Sequence, residues 1–360
     1  MRGIIAFPAL RRCAEKMFDR REILLGGTAL ALAGCAGGGA LQRPATLAPL
    51  RPEDFTPVIS GLDHAEGAAT SPDGRLFLSN GGGAIGILER DGALRQVGRP
   101  LMPTGVAVDA RGRVIIANMG LLNGGPGSLQ RVDVHTGTVE TLVDNLEGRA
   151  LVASNGPVAA RDGTLYCTHS SWGPVANIGT TTAAGFIYKV APDGGASIVA
   201  RDLRGANGLA LSPDERHLYC ALTAEGRIRR WRRMADGTLS DPQDFGPPLG
   251  GVTPDQGIKA ILALPPEERA DLGYCDGIAF DRAGNLWITL PFANRIVALT
   301  PDGRKVDIVH DPDGRMIATP TNLCWGGADL RTLYVVSRAK GMIVSARTTV
   351  AGAPLANWPA

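Results

Sequence analysis

Six polar residues occupy one position of a repeated sequence pattern, directly before a glycine in the first five copies. They are Glu66, Thr104, Asn155, Asn207, Asp276 and Thr321. Each side chain carries an oxygen atom, where a purely structural repeat needs no polar group. Two carboxylates and two amides form a hard oxygen donor set that suits Ca²⁺ or, less ideally, Mg²⁺. This set leaves coordination positions open for water and substrate, and our predicted metal ligands are Glu66, Asn155, Asn207 and Asp276.

The same residues have a second, structural interpretation. Asn-Gly and Asp-Gly are turn dipeptides, so Asn155, Asn207 and Asp276 could simply turn the chain. However, each copy already has a turn about seven residues later, and the polar position opens an apolar strand. Glu66 is also a poor turn former. We therefore favour metal binding over turn formation at this position.

The six residues are positioned by a repeat of strand, turn and strand. Thr104-Gly105 opens a short apolar strand, Arg111-Gly112 turns the chain, and Val114-Ile115-Ile116 forms the next strand. A third strand follows most copies, as at 295–299. The copies lie about 38 to 70 residues apart, which is typical of propeller blades. A β-sandwich would give similar turns without this long-range repetition.

We therefore predict an all-β fold, a six-bladed β-propeller over residues 56–350, with a C-terminal tail over 351–360. The first strand of each propeller blade lies nearest the axis. The six polar positions should then converge on the central channel and form a metal site there.

The N-terminus is predicted to be an export signal over residues 1–35. Arg20-Arg21 precedes a mildly apolar stretch that is too short for a permanent membrane helix, as in twin-arginine signals. Leu32-Ala33-Gly34-Cys35 resembles a bacterial lipobox, in which Cys35 becomes the lipidated first residue. The alternative is a poor core helix beside an unremarkable arginine pair. We expect a periplasmic or cell-envelope lipoprotein of a bacterium, attached to the membrane only through Cys35, with residues 36–55 as a flexible tether.

Composition narrows the function classes. Hydrophobic residues make up 44% of the chain and charged residues 20%, which favours a packed core over disorder. The formal net charge of +2 and the absence of a basic stripe argue against a nucleic-acid partner. The cysteines beyond the signal suggest no disulfide framework, and Cys167 and Cys220, in matching Leu-Tyr-Cys sequences, are expected to be small buried hydrophobes.

The repeated segments resemble a known superfamily. The segments that carry the resemblance are Glu66-Gly67, Asn155-Gly156, Asn207-Gly208-Leu209-Ala210, Asp276-Gly277-Ile278-Ala279 and Pro320-Thr321-Asn322. They are similar to segments of the senescence marker protein (regucalcin), gluconolactonase and luciferin-regenerating enzyme superfamily. The resemblance implies a six-bladed propeller, a divalent cation in the channel, and hydrolysis of lactones or related esters. Ca²⁺ is the expected ion, with Mg²⁺, Mn²⁺ or Zn²⁺ as alternatives.

The resemblance also implies roles for single residues. The cation would polarise a lactone carbonyl and lower the pKa of a bound water. Asp276 is the candidate general base or direct nucleophile, because family members assign chemistry to that position. Thr104 and Thr321 complete the ring of polar positions and, with Asn155, are expected to contact the substrate. His169, after a second strand, is a further candidate for substrate contact, although a lone histidine is more often structural.

Two departures from the superfamily pattern affect these expectations. Regucalcin-like members often carry a sugar-binding arginine two residues before the Asn155 position, where this sequence has Ala153. That difference weighs against a sugar-acid lactone such as gluconolactone. Residues 238–273 are longer than a plain blade connection and form either a short helix that shapes the channel mouth or a surface insertion.

Three functions stay open at this stage for a protein that we expect to be a monomer. The first is metal-dependent hydrolysis of a small lactone or ester. The second is a non-catalytic, envelope-anchored propeller in which the ion is structural and the rim binds a partner. The third is hydrolysis of phosphotriesters at the same site.

Overall fold

The computed structural model describes residues 47–80, 83–174, 177, 180, 182–253 and 256–359. The predicted export signal, its lipidation site Cys35 and residues 36–46 of the predicted tether lie outside these residues. Within the described part, no helix is both long enough and apolar enough to cross a membrane.

Six four-stranded antiparallel sheets form the blades of a propeller, which confirms the predicted fold. The chain begins with β1 (Thr56–Ser60). Blade 1 then contains β2 (Ala68–Thr70), β3 (Leu76–Ser79), β4 (Ile85–Leu88) and β5 (Leu94–Val97). Blade 2 contains β6 (Pro103–Val108), β7 (Val114–Asn118), β8 (Leu129–Val132) and β9 (Val139–Val143). After the hairpin of β10 (Asn145–Leu146) and β11 (Arg149–Ala150), blade 3 contains β12 (Ser154–Ala159), β13 (Leu165–His169), β14 (Gly185–Val190) and β15 (Ala196–Leu203).

The second half of the ring repeats this order. Blade 4 contains β16 (Ala206–Leu211), β17 (His217–Leu222), β18 (Arg227–Arg233) and β19 (Leu239–Phe245). The helices α1 (Ile258–Leu262) and α2 (Pro266–Arg269) lead to blade 5, with β20 (Ile278–Phe280), β21 (Leu286–Leu290), β22 (Arg295–Leu299) and β23 (Lys305–His310). Blade 6 contains β24 (Pro320–Gly326), β25 (Thr332–Ser337) and β26 (Met342–Arg347).

The ring is closed by the first strand of the chain. β1 pairs antiparallel with β26, with Thr56 opposite Ser345, and becomes the outermost strand of blade 6. The first strands of neighbouring blades pack against one another, so they surround the channel. Closing the ring in this way holds the two ends of the propeller together and covers the outer edge of β26.

The core lies between neighbouring blades, and this explains the apolar runs of the second strands. Val114 and Ile116 pack towards Phe77 of blade 1, whereas Ile115, between them, packs towards Tyr188 of blade 3. Successive side chains of a strand point to opposite faces of its sheet. Both faces of a blade are buried, so both sets of positions are apolar.

The C-terminal segment crosses the channel at the end opposite the polar ring. The N–H of Ala353 donates to the Phe280 carbonyl at 2.9 Å, Arg161 donates to the Pro354 carbonyl at 3.2 Å, and Asn357 donates to the Thr70 carbonyl at 3.1 Å. These three partners lie at or just beyond the last residues of the inner strands of blades 5, 3 and 1. A segment that touches three alternate blades of a six-bladed ring must lie over its axis. The predicted tail is therefore packed against the propeller.

Two other connections flank the ring. Of the predicted tether, residues 47–55 pack on the core: the Leu50 N–H donates to the Ile308 carbonyl at 2.6 Å, and Phe55 is buried. Of the predicted insertion over 238–273, residues 239–245 are β19 of blade 4, and the part that follows forms α1 and α2 around buried Ile261 and Tyr274. This second part joins β19 to Asp276, so it lies on the side of the polar ring.

Candidate functional site

A cavity where the inner strands begin brings together most of the predicted site residues. The residues from the predicted set that line it are Glu66, Asn155, Asn207, Asp276 and Thr321. They come from five different blades, and each lies just before its inner strand or within that strand's first two residues. All four predicted metal ligands therefore face one space.

A hydroxyl group fixes the orientation of the Asn155 amide. The Ser170 hydroxyl donates to the Ala206 carbonyl oxygen at 2.8 Å, and a carbonyl can only accept. Ser170 Oγ therefore accepts from Asn155 Nδ2, at 3.0 Å. This arrangement turns Asn155 Oδ1 away from Ser170, and no described residue donates a hydrogen bond to it.

The Asn207 amide, in the next blade, is held by a hydroxyl group in the same way. The Thr223 hydroxyl donates to the Cys275 carbonyl at 2.7 Å and accepts from Asn207 Nδ2 at 3.2 Å. Ser170 and Thr223 are equivalent residues, since each directly follows the second strand of its blade. Both amides are thus fixed through their nitrogen atoms, and the Asn207 side chain also donates a hydrogen bond to the Asp276 carboxylate. Amides fixed in this way keep their oxygen atoms for a cation.

The two carboxylates of the site, Glu66 and Asp276, are both buried, and the charge of Glu66 acts on Asp276. Burial raises the pKa of Asp276 well above its usual range, and the nearby Glu66 charge adds to the shift. Burial also raises the pKa of Glu66, while the positive charge of Arg338 opposes that shift. Arg338 Nη1 forms an ion pair with Glu66 Oε2. A cation placed between the two carboxylates would favour their charged forms.

A glycine follows five of the polar residues because there is no room for a side chain at these positions. A Cβ atom on Gly105 would lie 1.9 Å from the carbonyl oxygen of Asn155, and one on Gly208 would lie 2.4 Å from that of Asp276. Gly67, Gly156 and Gly277 face the next blade's site residue in the same way. The glycines therefore allow the inner strands to approach closely enough for the polar side chains to meet.

The two threonines of the ring differ in their surroundings. Thr321 lines the cavity, and its hydroxyl donates to the Glu66 carbonyl at 2.9 Å, which joins blade 6 to blade 1. Thr104 is buried and donates to the Ala117 carbonyl at 3.2 Å, while its neighbours Gly105 and Val106 line the cavity. Thr321 is better placed than Thr104 for the predicted substrate contact.

His169 lies in the core and not at the cavity. Its side chain is fully buried, stacks on Phe186 with ring centroids 4.5 Å apart, and accepts the N–H groups of Val152 and Ala153 through Nε2 at 3.2 Å each. Burial, with the nearby Arg149 charge, lowers the pKa of His169 to about 3, so it is neutral. This position does not favour the predicted substrate contact; His169 supports the chain that leads to Asn155.

The cysteines behave as the sequence predicts. Cys167, Cys220, Cys275 and Cys324 are buried free thiols. Burial raises the pKa of Cys167 and of Cys220 to about 12. These thiols are therefore protonated packing residues and not nucleophiles.

A family match covers all six polar positions and Arg338. Residues 65–339 match the model of the SMP-30/gluconolactonase/LRE-like region, from the residue before Glu66 to the residue after Arg338. The chain belongs to this family.

Individual members of the SMP-30/gluconolactonase/LRE-like family align over parts of the chain. A 6-deoxy-6-sulfogluconolactonase of Pseudomonas putida is 30% identical over 175 residues, which cover 49% of this chain and 50% of that protein. A gluconolactonase of Zymomonas mobilis is 25% identical over 252 residues, which cover 69% of this chain and 64% of that protein. The solved structure of the calcium-binding protein regucalcin from Agrobacterium tumefaciens superposes with a TM-score of 0.63 at 19% identity, covering 87% of this chain and 100% of that one.

The donor set fits the hard divalent cation that the SMP-30/gluconolactonase/LRE-like family implies. The oriented amides of Asn155 and Asn207 and the carboxylates of Glu66 and Asp276 offer oxygen atoms from four blades. Among the described residues, no group of three or more His, Cys, Asp or Glu side chains could hold a metal. The candidate centre therefore depends on its two amides as much as on its two carboxylates.

Sequence reasoning missed three residues that shape the site. Ser170, Thr223 and Arg338 all directly follow the second strand of their blades. An alignment of the ends of the second strands, in addition to the starts of the first strands, would have revealed the shared position. Nothing local in the sequence pairs Arg338 with Glu66, because the two meet only when blade 6 closes on blade 1.

Proposed function

We propose that the protein is a metal-dependent hydrolase of lactones or related esters, with a divalent cation, Ca²⁺ by preference, held by Glu66, Asn155, Asn207 and Asp276. The observation that carries the proposal is the meeting of these four side chains at one cavity, with both amides held by hydroxyl groups. Membership of a family that includes gluconolactonases supports the reaction class.

In the proposed reaction, the residues of the chain position and deprotonate water. Asp276 accepts a proton from water as the water oxygen adds to the lactone carbonyl carbon. The ring C–O bond then breaks, and the ring oxygen takes the proton and becomes the hydroxyl group of the product hydroxy acid. Thr321 and Asn155 line the same cavity as Asp276 and contact the substrate. A bound divalent cation supplies Lewis acidity towards the carbonyl and lowers the pKa of water.

The deciding experiment is hydrolysis of a panel of lactones, aryl esters and phosphotriesters by the protein from about residue 45. Each assay is run metal-free, with a chelator present, and separately with Ca²⁺, Mg²⁺, Mn²⁺ or Zn²⁺ in place of the chelator. We expect metal-dependent lactone turnover that falls about 10²- to 10⁴-fold in Asp276→Asn, which keeps an oxygen donor but removes the base. Metal binding without turnover of any substrate would favour a non-catalytic propeller in which the ion is structural. Turnover of phosphotriesters alone would favour a phosphotriester hydrolase.

We also propose that the protein is exported and attached to the bacterial envelope through a lipid on Cys35. The Arg20-Arg21 pair and the Leu32-Ala33-Gly34-Cys35 sequence support this. Fractionation of cells that express the full chain tests it, with Cys35→Ala as the comparison. Membrane association that is unchanged in Cys35→Ala would contradict the lipid anchor.

A further inference from the structure

The guanidinium of Arg338 lies at the edge of the site and has hydrogen-bond donors that no described residue accepts. It lies in the 3₁₀ turn Arg338–Lys340 that follows β25, and its side chain is 34% exposed. Among the described residues, its guanidinium forms an ion pair only with Glu66, through Nη1. Nε and Nη2 donate to no described residue. A guanidinium with two donors unused can bind a carboxylate or sulfonate in the bidentate manner.

Glu66 can serve Arg338 and a cation at the same time. Its Oε2 atom faces Arg338, and no described residue donates to its Oε1 atom. The carboxylate can therefore coordinate an ion through Oε1 while it keeps the ion pair through Oε2. Arg338 stays fixed beside the cavity in that arrangement.

The charges of the site favour a negatively charged ligand. Glu66 and Asp276 are the charged side chains that line the cavity, and together they balance one divalent cation. The Arg338 charge is then left over, so the loaded site has a net positive charge. On blade 3, the residue two places before Asn155 is Ala153, which is buried and carries no charge. The cationic group of this site therefore comes from blade 6 and not from blade 3.

We propose that Arg338 determines specificity by binding a negatively charged substituent, so that the site prefers lactones that carry a carboxylate or sulfonate. The inference rests on the proposed lactonase function and names its substrate class. Arg338 acts on substrate choice, not on the bond that breaks. Its loss should therefore change the preference between anionic and neutral lactones.

Two five-membered lactones test the proposal. D-Glucaro-1,4-lactone and D-glucono-1,4-lactone differ at carbon 6, which is the carbon of a carboxylate in the first and of a hydroxymethyl group in the second. At saturating Ca²⁺, we expect the wild-type protein to prefer the glucaro compound in kcat/KM. Arg338→Gln should reduce that preference about 10- to 100-fold, mainly through KM. Arg338→Lys keeps the positive charge but loses the paired N–H donors of the guanidinium. Its preference for the glucaro compound should therefore lie between those of wild type and Arg338→Gln.

A neighbouring residue provides the matched control. Lys340 lies in the same turn, is exposed, and forms no ion pair with a described residue. Lys340→Gln removes one positive charge from this edge without touching Glu66, so it should leave the preference within about twofold. An equal effect of the two glutamine variants, or a preference ratio unchanged in Arg338→Gln, would overturn the proposal.

Calorimetry gives a readout that does not depend on turnover. Removal of the Arg338 charge frees Glu66 for the cation, so Ca²⁺ should bind Arg338→Gln roughly 3- to 30-fold more tightly. Weaker Ca²⁺ binding would mean that Arg338 only supports the fold of the site. If no lactone is hydrolysed, the proposed function fails, but binding of D-glucaro-1,4-lactone to the Ca²⁺-loaded variants still tests Arg338. Binding that is equal in wild type and Arg338→Gln would overturn its role.

Discussion

Ser170 holds the Asn155 amide in place, so its hydroxyl should matter for metal binding although it touches no ion. Ser170→Ala removes the acceptor of the Nδ2 hydrogen bond and allows the amide to rotate. We expect Ca²⁺ affinity to fall about 10- to 100-fold, the usual cost of losing such a supporting contact. Isothermal titration calorimetry measures this directly.

The adjacent hydroxyl group is the control for Ser170. Ser171 is equally buried, but it accepts from the Gly173 N–H and does not contact Asn155. Ser171→Ala should keep wild-type affinity. Equal affinities for the two variants would show that the Asn155 amide does not need its hydroxyl partner.

At the residue scale, sequence reasoning succeeds where a residue repeats and fails where a contact is unique. Asn155, Asn207 and Asp276 could be predicted because equivalent positions of a propeller meet at its axis. His169 ends the second strand of blade 3 as Asn118 ends that of blade 2, and both accept the N–H of the residue two places before the polar position. The chemistry of a histidine alone does not distinguish such a buried supporting ring from a substrate contact. Arg338 was missed because its partner, Glu66, is at the other end of the chain.

At the element scale, the inner strands depend on their glycines. Gly105→Ala would place a Cβ atom 1.9 Å from the Asn155 carbonyl oxygen. The strand must move, so we expect the free energy of unfolding to fall by about 2 to 4 kcal/mol, with weaker Ca²⁺ binding. Urea denaturation followed by circular dichroism measures the first effect.

Gly257→Ala is the matched control for this substitution. Gly257 precedes α1 with φ −68°, and a Cβ atom there would have no described neighbour within 4 Å. Its free energy of unfolding should stay within about 0.5 kcal/mol of wild type. Comparable losses in both variants would indicate a general sensitivity to alanine and not close packing of the inner strands.

The strands themselves could be predicted because blades bury both faces. Val114, Ile115 and Ile116 form an apolar run that recurs in each repeat, and the repeats give the number of blades. The closing strand could not be predicted in the same way. Residues 56–60 lie at the outer edge of blade 6, where one side is exposed, so this sequence carries no strong pattern.

At the scale of the whole molecule, the C-terminal segment should stabilise the propeller without serving the site. Deletion of residues 353–360 removes the hydrogen bonds to Phe280, Arg161 and Thr70. At about 1 kcal/mol each, their loss predicts a fall of about 2 to 4 kcal/mol in the free energy of unfolding. Urea denaturation of the truncated protein tests this.

Deletion of residues 353–360 should leave the candidate metal site unchanged, because of where this segment lies. It lies at the end of the channel opposite Glu66 and Asp276, so Ca²⁺ affinity should change by less than about twofold. An unchanged free energy of unfolding would show that the segment is only a tail. A large loss of Ca²⁺ affinity would show that the two ends of the channel are coupled.

The most direct test of the account is a crystal structure of the protein grown with Ca²⁺. We predict one ion in the channel, with oxygen atoms of Glu66, Asn155, Asn207 and Asp276 at about 2.3 to 2.6 Å and at least one position open to solvent. The Asn155 and Asn207 nitrogen atoms should still face Ser170 and Thr223. A channel without an ion at saturating Ca²⁺, or an ion held by other residues, would contradict the proposed centre.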